Sequence, residues 1–372
     1  MEMILQRIGG WATIAKIRQG PNKRIGMRFT RASSEHVLRH QAALPLAMTL
    51  AAPYSGSTLF AILLGRHSQI SSDGEIIPFG FHDPVLCSCG KTQVECPYYR
   101  EAGAHLLAAD GKSWNAELFA PYPTYSRLEL VDRALGRLWS NGLMGFVQKS
   151  LRSLVPHWQQ QDRAFVAAHL RFMENSLRQR EARIYLDGTK SVRRAVLFAA
   201  APQVRMKVIH LVRDGRGFCF SYVKNRKLPR TKLALAARVW RNSIRAIDRF
   251  QARFPHIPVH NVRYEDLCRD LHETLLRVCQ FLDVPYEPAL ESASSDRPCH
   301  VLGNRMRLHF SGQVEECLRW QQELTAAEID LLNRTLGRDL ERFHYAQEPG
   351  GSGQESGIRG KFAAASQWTQ HA

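Results

Sequence analysis

No stretch of this 372-residue chain reaches about 18 consecutive apolar residues, so the sequence predicts no membrane-spanning helix. The opening is basic, and it lacks the apolar core and cleavage site that mark a secretory signal. It is also poor in serine, which argues against a transit peptide. Cysteine is sparse: eight residues spread over the whole length do not outline a small disulfide scaffold. Cys279, for instance, falls in the apolar helical pattern Leu275-Leu276-Arg277-Val278-Cys279-Gln280-Phe281-Leu282. A reducing, cytoplasmic home is the expectation. Acidic residues are in deficit, 34 against 51 Lys and Arg, which leaves a net charge of +17. Such a surplus calls for an anionic partner, or is simply that of a soluble basic protein. Also missing are the G-x-x-x-x-G-K-[ST] loop of nucleotide triphosphate enzymes and an acidic residue placed to hold Mg²⁺.

What the chain does have is an alternation of strand and helix. Leu44 to Ala52 is predicted as a strand, followed by a helix from Thr58 that Gly65 closes. Arg183 to Asp187, Lys207 to Val212 and Ile257 to Val262 are further strands. Helices are expected at Ser191 to Ala200 and at Lys232 to Phe254. Asp270 with Glu273, and Thr325 with Glu328, are capping-box-like starts, the second opening a helix that runs to about Phe343. This order implies an α/β fold, a P-loop-like and mostly parallel central sheet with helices on both faces. Residues 1–40 are expected to be a basic extension and 41–346 the domain. An acceptor-side insertion rich in Tyr, Trp and Pro occupies 81–160, and 347–372 is a Gly- and Ser-containing flexible tail.

Two segments have the composition of anion cradles. Ala51-Ala52-Pro53-Tyr54-Ser55-Gly56-Ser57-Thr58-Leu59-Phe60 follows an apolar run and opens a helix, so its backbone N–H groups and hydroxyls face an anion. Leu211-Val212-Arg213-Asp214-Gly215-Arg216, with Ser221 beyond, places an arginine and a hydroxyl within reach of a second anion. Both fall at carboxyl ends of predicted strands, where open α/β sheets bind ligands. A ligand with phosphates at both ends is implied.

With these two blocks the chain resembles the sulfotransferases that use 3′-phosphoadenosine 5′-phosphosulfate, of the bacterial type related to carbohydrate and tyrosyl-protein enzymes. Tyr54-Ser55-Gly56-Ser57-Thr58-Leu59 is similar to the family's 5′-phosphosulfate loop, and Arg213 with Ser221 to its 3′-phosphate motif. Asp187-Gly188-Thr189-Lys190 resembles a D-[ST]-[ST]-K block, and Arg263-Tyr264-Glu265-Asp266-Leu267 an R-Y-E-D-L block. Gly303-Asn304-Arg305-Met306-Arg307, with Trp320 beyond, resembles the cofactor-covering loop. The blocks occur in the family's order between residues 51 and 320. The resemblance implies a donor held by Tyr54, Ser55, Gly56, Ser57, Thr58, Arg213, Ser221, Arg263, Tyr264, Asn304 and Arg307. It implies no metal requirement, because fixed cations take that role.

Glu75 stands where the related enzymes place their catalytic glutamate, and a carboxylate there would take the acceptor hydroxyl's proton. The alternative is a surface acid after a turn, with Asp73 or His67 as the base. Many relatives begin the first cradle with Arg or Lys, where this chain has Tyr54. Lys190 is the candidate replacement cation, with Arg216 behind it, or else a solvated helix-start lysine. Cys87, Cys89 and Cys96 supply three of the four ligands that structural zinc takes, with His82 as a fourth, or they belong to a reduced or partly disulfide-bonded loop. Tyr98, Tyr99, Trp114, Phe119, Tyr122 and Tyr125 would form an acceptor platform or pack in the core. The basic run Arg226 to Lys232 would meet an acidic acceptor or lie in solvent. The expected partner is a small-molecule or glycan acceptor, an acidic one included, and not a nucleic acid. Two rivals remain: a nucleotide kinase, which would need Mg²⁺ and the missing lysine, and a nucleic-acid-binding protein attracted by the +17 charge.

Overall fold

Three apolar runs build the middle of one parallel sheet. In the computed structural model, which describes residues 43–76, 86–92, 95–102, 155–292, 300–310, 312, 314 and 318–345, the central strand is β1 (Leu44–Ala51). It pairs with β3 (Ile184–Asp187) on one side and β4 (Val204–Val212) on the other. The outer strands are β2 (Ile70–Gly74), beside β3, and β5 (Val259–Arg263), beside β4. All four pairings are parallel, and the order is β2-β3-β1-β4-β5. A parallel sheet is covered on both faces, which is why β1 and β4 read as continuous apolar runs rather than alternating ones.

The helices divide between the faces. α1 (Ser57–Leu64) follows β1, and α2 (Pro156–Gln179) precedes β3. α3 (Val192–Ala199), α4 (Gly215–Asn225) and α5 (Leu233–Arg253) carry the chain through β4 to β5. α6 (Tyr264–Arg269), α7 (Leu271–Leu282), α8 (Arg319–Glu323) and α9 (Ala326–Arg342) complete the named helices among the described residues. α2 and α3 pack with Tyr185 and Val208 into one core; α4, α5 and α9 pack around Trp240; α1, α6 and α7 close on Ile209 and Leu211. Along α5 the buried positions Ala236, Ala237, Trp240, Ile244 and Ile247 recur at three and four residues, the stripe of an amphipathic helix.

The two expected caps form. Asp270 accepts from Glu273 N at 3.1 Å, and Thr325 with Glu328 makes the full reciprocal box. The expected strands and helices are present to within a few residues. Two elements differ. β2 was not among the expected strands, yet Ile70-Ser71-Ser72-Asp73-Gly74 is a wholly buried strand. α2 begins inside the 81–160 segment and packs against β2 and β3. The 1–40 extension and the 347–372 tail lie outside the described residues. No described helix is long and apolar enough to cross a membrane.

The chain leaves β1 towards β2 on one side, and leaves β4 towards β5 on the other. The crevice between the carboxyl ends of β1 and β4 is therefore the switch point of the sheet.

Candidate active site

Beyond Ala51 the chain turns sharply before α1 starts. Tyr54 and Gly56 both adopt positive φ, 63° and 84°. At Gly56 this conformation and the space around it both demand glycine, since an added Cβ would stand 2.7 Å from Cε2 of the Tyr264 ring. No side chain caps α1. Ser55 Oγ is fully buried and has no hydrogen-bond partner. The helix start thus leaves backbone donors uncapped beside an unsatisfied buried hydroxyl, the kind of group that helix N-termini offer to anions. Ser57 and Thr58 are buried in the first turn, and Thr58 Oγ1 accepts from Asn304 N at 3.1 Å.

The second cradle leaves the neighbouring strand at the same edge. Ala51 of β1 registers with Leu211 of β4, two residues before Arg213. Arg213 Nη1 donates to the Tyr54 carbonyl at 2.9 Å, and its guanidinium lies 4.9 Å over the Tyr264 ring. Thus Tyr54, Gly56, Arg213 and Tyr264 are brought together. The turn into α4 is fixed by Asp214, which caps Arg216 N, and by Glu265 Oε1, which accepts from Asp214 N at 3.0 Å. Burial raises the Glu265 carboxyl above its usual range, and Tyr345 Oη donates to its other oxygen at 2.7 Å. Ser221 is half-buried near the middle of α4.

Glu75 follows β2 directly. Lys190 donates to its Oε1, with the two side chains 12% and 30% exposed for lysine and glutamate. Lys190 is held in left-handed conformation, φ 63°, by the block that precedes it. Asp187 Oδ1 accepts from Thr189 N at 2.8 Å, Gly188 N donates to Gly74 O at 2.9 Å, and Thr189 Oγ1 accepts from Ile76 N at 3.2 Å. Asp187 is itself anchored by Arg194 at 2.6 Å, both side chains fully buried. Gly303 closes over this group: a Cβ there would lie 2.8 Å from Thr58 Oγ1 and 3.4 Å from Glu75 Oε1. One carboxylate, one ammonium and the first turn of α1 thus share a small space. The sequence offered Glu75 and Lys190 separately; their pairing is visible only in the fold.

Other expectations are corrected. Arg216 is held by other partners: it is buried, pairs with Asp214 at 2.7 Å, and stacks 4.7 Å over Trp320. Asp73 is not an available base. It is 1% exposed and accepts from Tyr185 Oη at 2.8 Å and Ser176 Oγ at 3.1 Å, and burial raises its carboxyl. His67 is fully buried, with Nε2 2.7 Å from Pro285 O. Tyr98 and Tyr99 are core residues rather than a platform: Tyr98 Oη meets Ser176 Oγ at 2.5 Å and Tyr99 Oη donates to His300 O at 2.7 Å. Trp114, Phe119, Tyr122 and Tyr125 lie outside the described residues. In the basic run, Arg230 pairs with Glu328 at 3.0 Å and Arg226 stacks over Tyr222.

Three residues named with the cradle have other partners. Arg263 lies 4.4 Å over the Tyr345 ring and 3.5 Å from Asp266. Arg307 braces the covering loop, donating Nε and Nη2 to Leu86 O and Nη1 to Gly303 O. Asn304 Oδ1 accepts from Met306 N at 3.0 Å. Cys87, Cys89 and Cys96 are joined by His300, a residue the sequence reading did not single out. The signal was weak, a lone histidine more than 200 positions away. His82, the fourth ligand expected from sequence, lies outside the described residues.

Residues 45–288 match the model of the sulfotransferase family. No curated protein matches the chain. Among solved structures, the sulfotransferase domain from the Synechococcus PCC 7002 olefin synthase is 22% identical over 82% of this chain and 97% of that one, with a TM-score of 0.43. The sulfotransferase domain from the curacin biosynthetic pathway is 17% identical over 82% and 99%, with a TM-score of 0.43. Mouse sulfotransferase SULT7A1, complexed with PAP, is 13% identical over 87% and 98%, with a TM-score of 0.37.

Proposed function

The chain belongs to the sulfotransferase family, and on that premise we propose that it moves a sulfuryl group from 3′-phosphoadenosine 5′-phosphosulfate to the hydroxyl or amine of a small-molecule or glycan acceptor. The observation that carries the donor assignment is the Arg213 to Tyr54 hydrogen bond, which joins both cradles at one edge of the sheet. A nucleotide with anionic groups at both ends has the matching charge pattern.

The donor supplies an activated sulfuryl group, and the chain supplies position and charge. The N–H groups from Ser55 to Thr58, with the Ser55, Ser57 and Thr58 hydroxyls, hold the 5′ end; the unpartnered Ser55 Oγ fits that task. Arg213 and Ser221 hold the 3′-phosphate, Arg213 through a planar fork suited to oxyanions. Tyr264 fixes the Arg213 guanidinium from below. Asn304 and Gly303 close over Thr58 and exclude water. Lys190 provides the cation that Tyr54 does not, next to the first turn of α1. It also orients Glu75 through Oε1, leaving Oε2 to accept the acceptor's proton as its oxygen or nitrogen bonds to sulfur, while the bond from sulfur to the donor's 5′-phosphate oxygen breaks and adenosine 3′,5′-bisphosphate leaves with that electron pair. Fixed cations thereby do what a metal does in phosphoryl transfer.

Calorimetric titration with adenosine 3′,5′-bisphosphate tests the assignment. The parent chain binds, and Arg213→Ala weakens binding by about 10- to 150-fold, the scale of a charged hydrogen bond. Absence of binding to the parent, or equal binding to both, removes the basis for it.

A further inference from the structure

The cysteine loop and the covering loop meet at four side chains with no role in the site described above. Cys87, Cys89, Cys96 and His300 each offer one donor atom, and all four atoms lie within 4.8 Å of one another. His300 Nδ1 stands 3.2 Å from Cys96 Sγ and 3.5 Å from Cys87 Sγ. Bond lengths of about 2.3 Å to sulfur and 2.0–2.1 Å to nitrogen put neighbouring ligands of a tetrahedral zinc ion about 3.5–3.8 Å apart. The cluster brackets that spacing and needs only a small contraction of its widest pair. The three thiols are unbridged.

The backbone holds these donors in place. Cys87 to Lys91 forms a tight turn, with Gly90 N donating to Cys87 O at 3.0 Å, Cys87 N to Lys91 O at 2.8 Å, and Gly90 at φ 83°. Cys96 opens a helical turn, its N–H donating to Thr92 O at 2.8 Å. The His300 ring is stacked on Tyr98, centroids 4.9 Å apart and planes within 2°, which aims Nδ1 at the thiols. Cys87 and Cys96 are buried and His300 is half-buried, so the cluster meets solvent mainly on the side of the exposed Cys89.

We propose that Cys87, Cys89, Cys96 and His300 bind one structural zinc ion. A soft three-sulfur, one-nitrogen set selects zinc over Mg²⁺ or Ca²⁺. Four protein ligands leave no open position, so the ion is structural rather than catalytic. Its mechanical effect follows from the neighbours of His300. Val301 N donates to Ser88 Oγ at 2.9 Å, Leu302 pairs with Asp73 and Glu75, and Gly303 covers Thr58. The ion therefore rivets the covering loop to the cysteine loop, one residue from the strand-like pair that carries Glu75.

The test uses the untagged full chain, purified without chelator. Elemental analysis is expected to give about one zinc per chain. Titration with a mercurial reagent releases that zinc as three thiols react. Cys96→Ser and His300→Ala each lower the zinc content several-fold. A second reading that needs no variant comes from the parent chain stripped and reloaded with Co²⁺: thiolate-to-cobalt charge-transfer absorption with the visible bands of a tetrahedral site. Less than about a tenth of an equivalent of zinc after reloading, or a disulfide among the three cysteines, overturns the proposal. None of these readouts depends on donor binding or sulfuryl transfer, so a failure of the zinc site is distinguishable from a failure of the proposed activity.

Discussion

Glu75 and Lys190 form an ion pair across 115 residues of sequence. In the proposed reaction this pair sets the chemistry at the residue scale: Lys190 reaches Glu75 from a backbone conformation that non-glycine residues seldom adopt, and its hydrogen bond would orient the proposed base. Glu75→Gln keeps the shape and removes the proton acceptor. It is expected to leave affinity for adenosine 3′,5′-bisphosphate unchanged and to lower the transfer rate by about 10²–10⁴. Near-normal turnover in a single-turnover assay would place the base elsewhere. The two residues could be picked from the sequence because each follows a recognisable block. Their contact could not, because it depends on Gly188 approaching Gly74 and on the positive φ of Lys190. His300 was illegible for the same reason, since a histidine's partners are set by tertiary structure rather than by spacing.

At the scale of elements, the strands that could be read were the ones buried by apolar side chains. β1 and β4 announce themselves as runs of Leu, Val and Ile, and the caps of α7 and α9 follow from short-range hydrogen bonding. β2 hides because Ser71, Ser72 and Asp73 are polar yet buried; Ser71 Oγ and Asp73 Oδ2 find partners in Ser176 and Tyr185 from other elements. Hydrophobic periodicity cannot register such a strand. α2 was obscured by a neighbourhood rich in aromatic residues. β3 and α3 are locked by the fully buried Asp187–Arg194 pair, with Arg194 also lying over Phe165 and Phe198. Arg194→Met strands the carboxylate and is expected to cost about 3–5 kcal/mol of stability in urea unfolding, whereas Asp187→Asn with Arg194→Met recovers most of it. An additive double variant would show that the two side chains act independently.

The whole molecule carries histidines whose charge the fold resists. Burial drives His210 down to about 4, with Asn261 Oδ1 3.0 Å from its Nδ1, and drives His169 well below its ordinary value. The unfolded chain takes up these protons near pH 6.5, and the folded chain binds the His210 proton only near 4. Neutral histidine therefore contributes stability that is fully present above about pH 6.5 and is lost as the pH falls towards 4. For His210 alone the loss is at most about 3 kcal/mol. The Tm is expected to drop across that window, and His210→Gln to flatten the slope relative to the parent. Parallel slopes for the two chains would show that His210 does not titrate with folding.

Thr58 and the backbone of Asn304 are 246 residues apart in sequence, and Glu75 takes its backbone pairing from Leu302 in the same late segment. During synthesis the proposed cradle and Glu75 emerge from the ribosome early, yet their cover is translated only after all five described strands. The nascent protein must hold an open, roofless pocket until residues 302–304 arrive, and no truncated product ending before that point can close it.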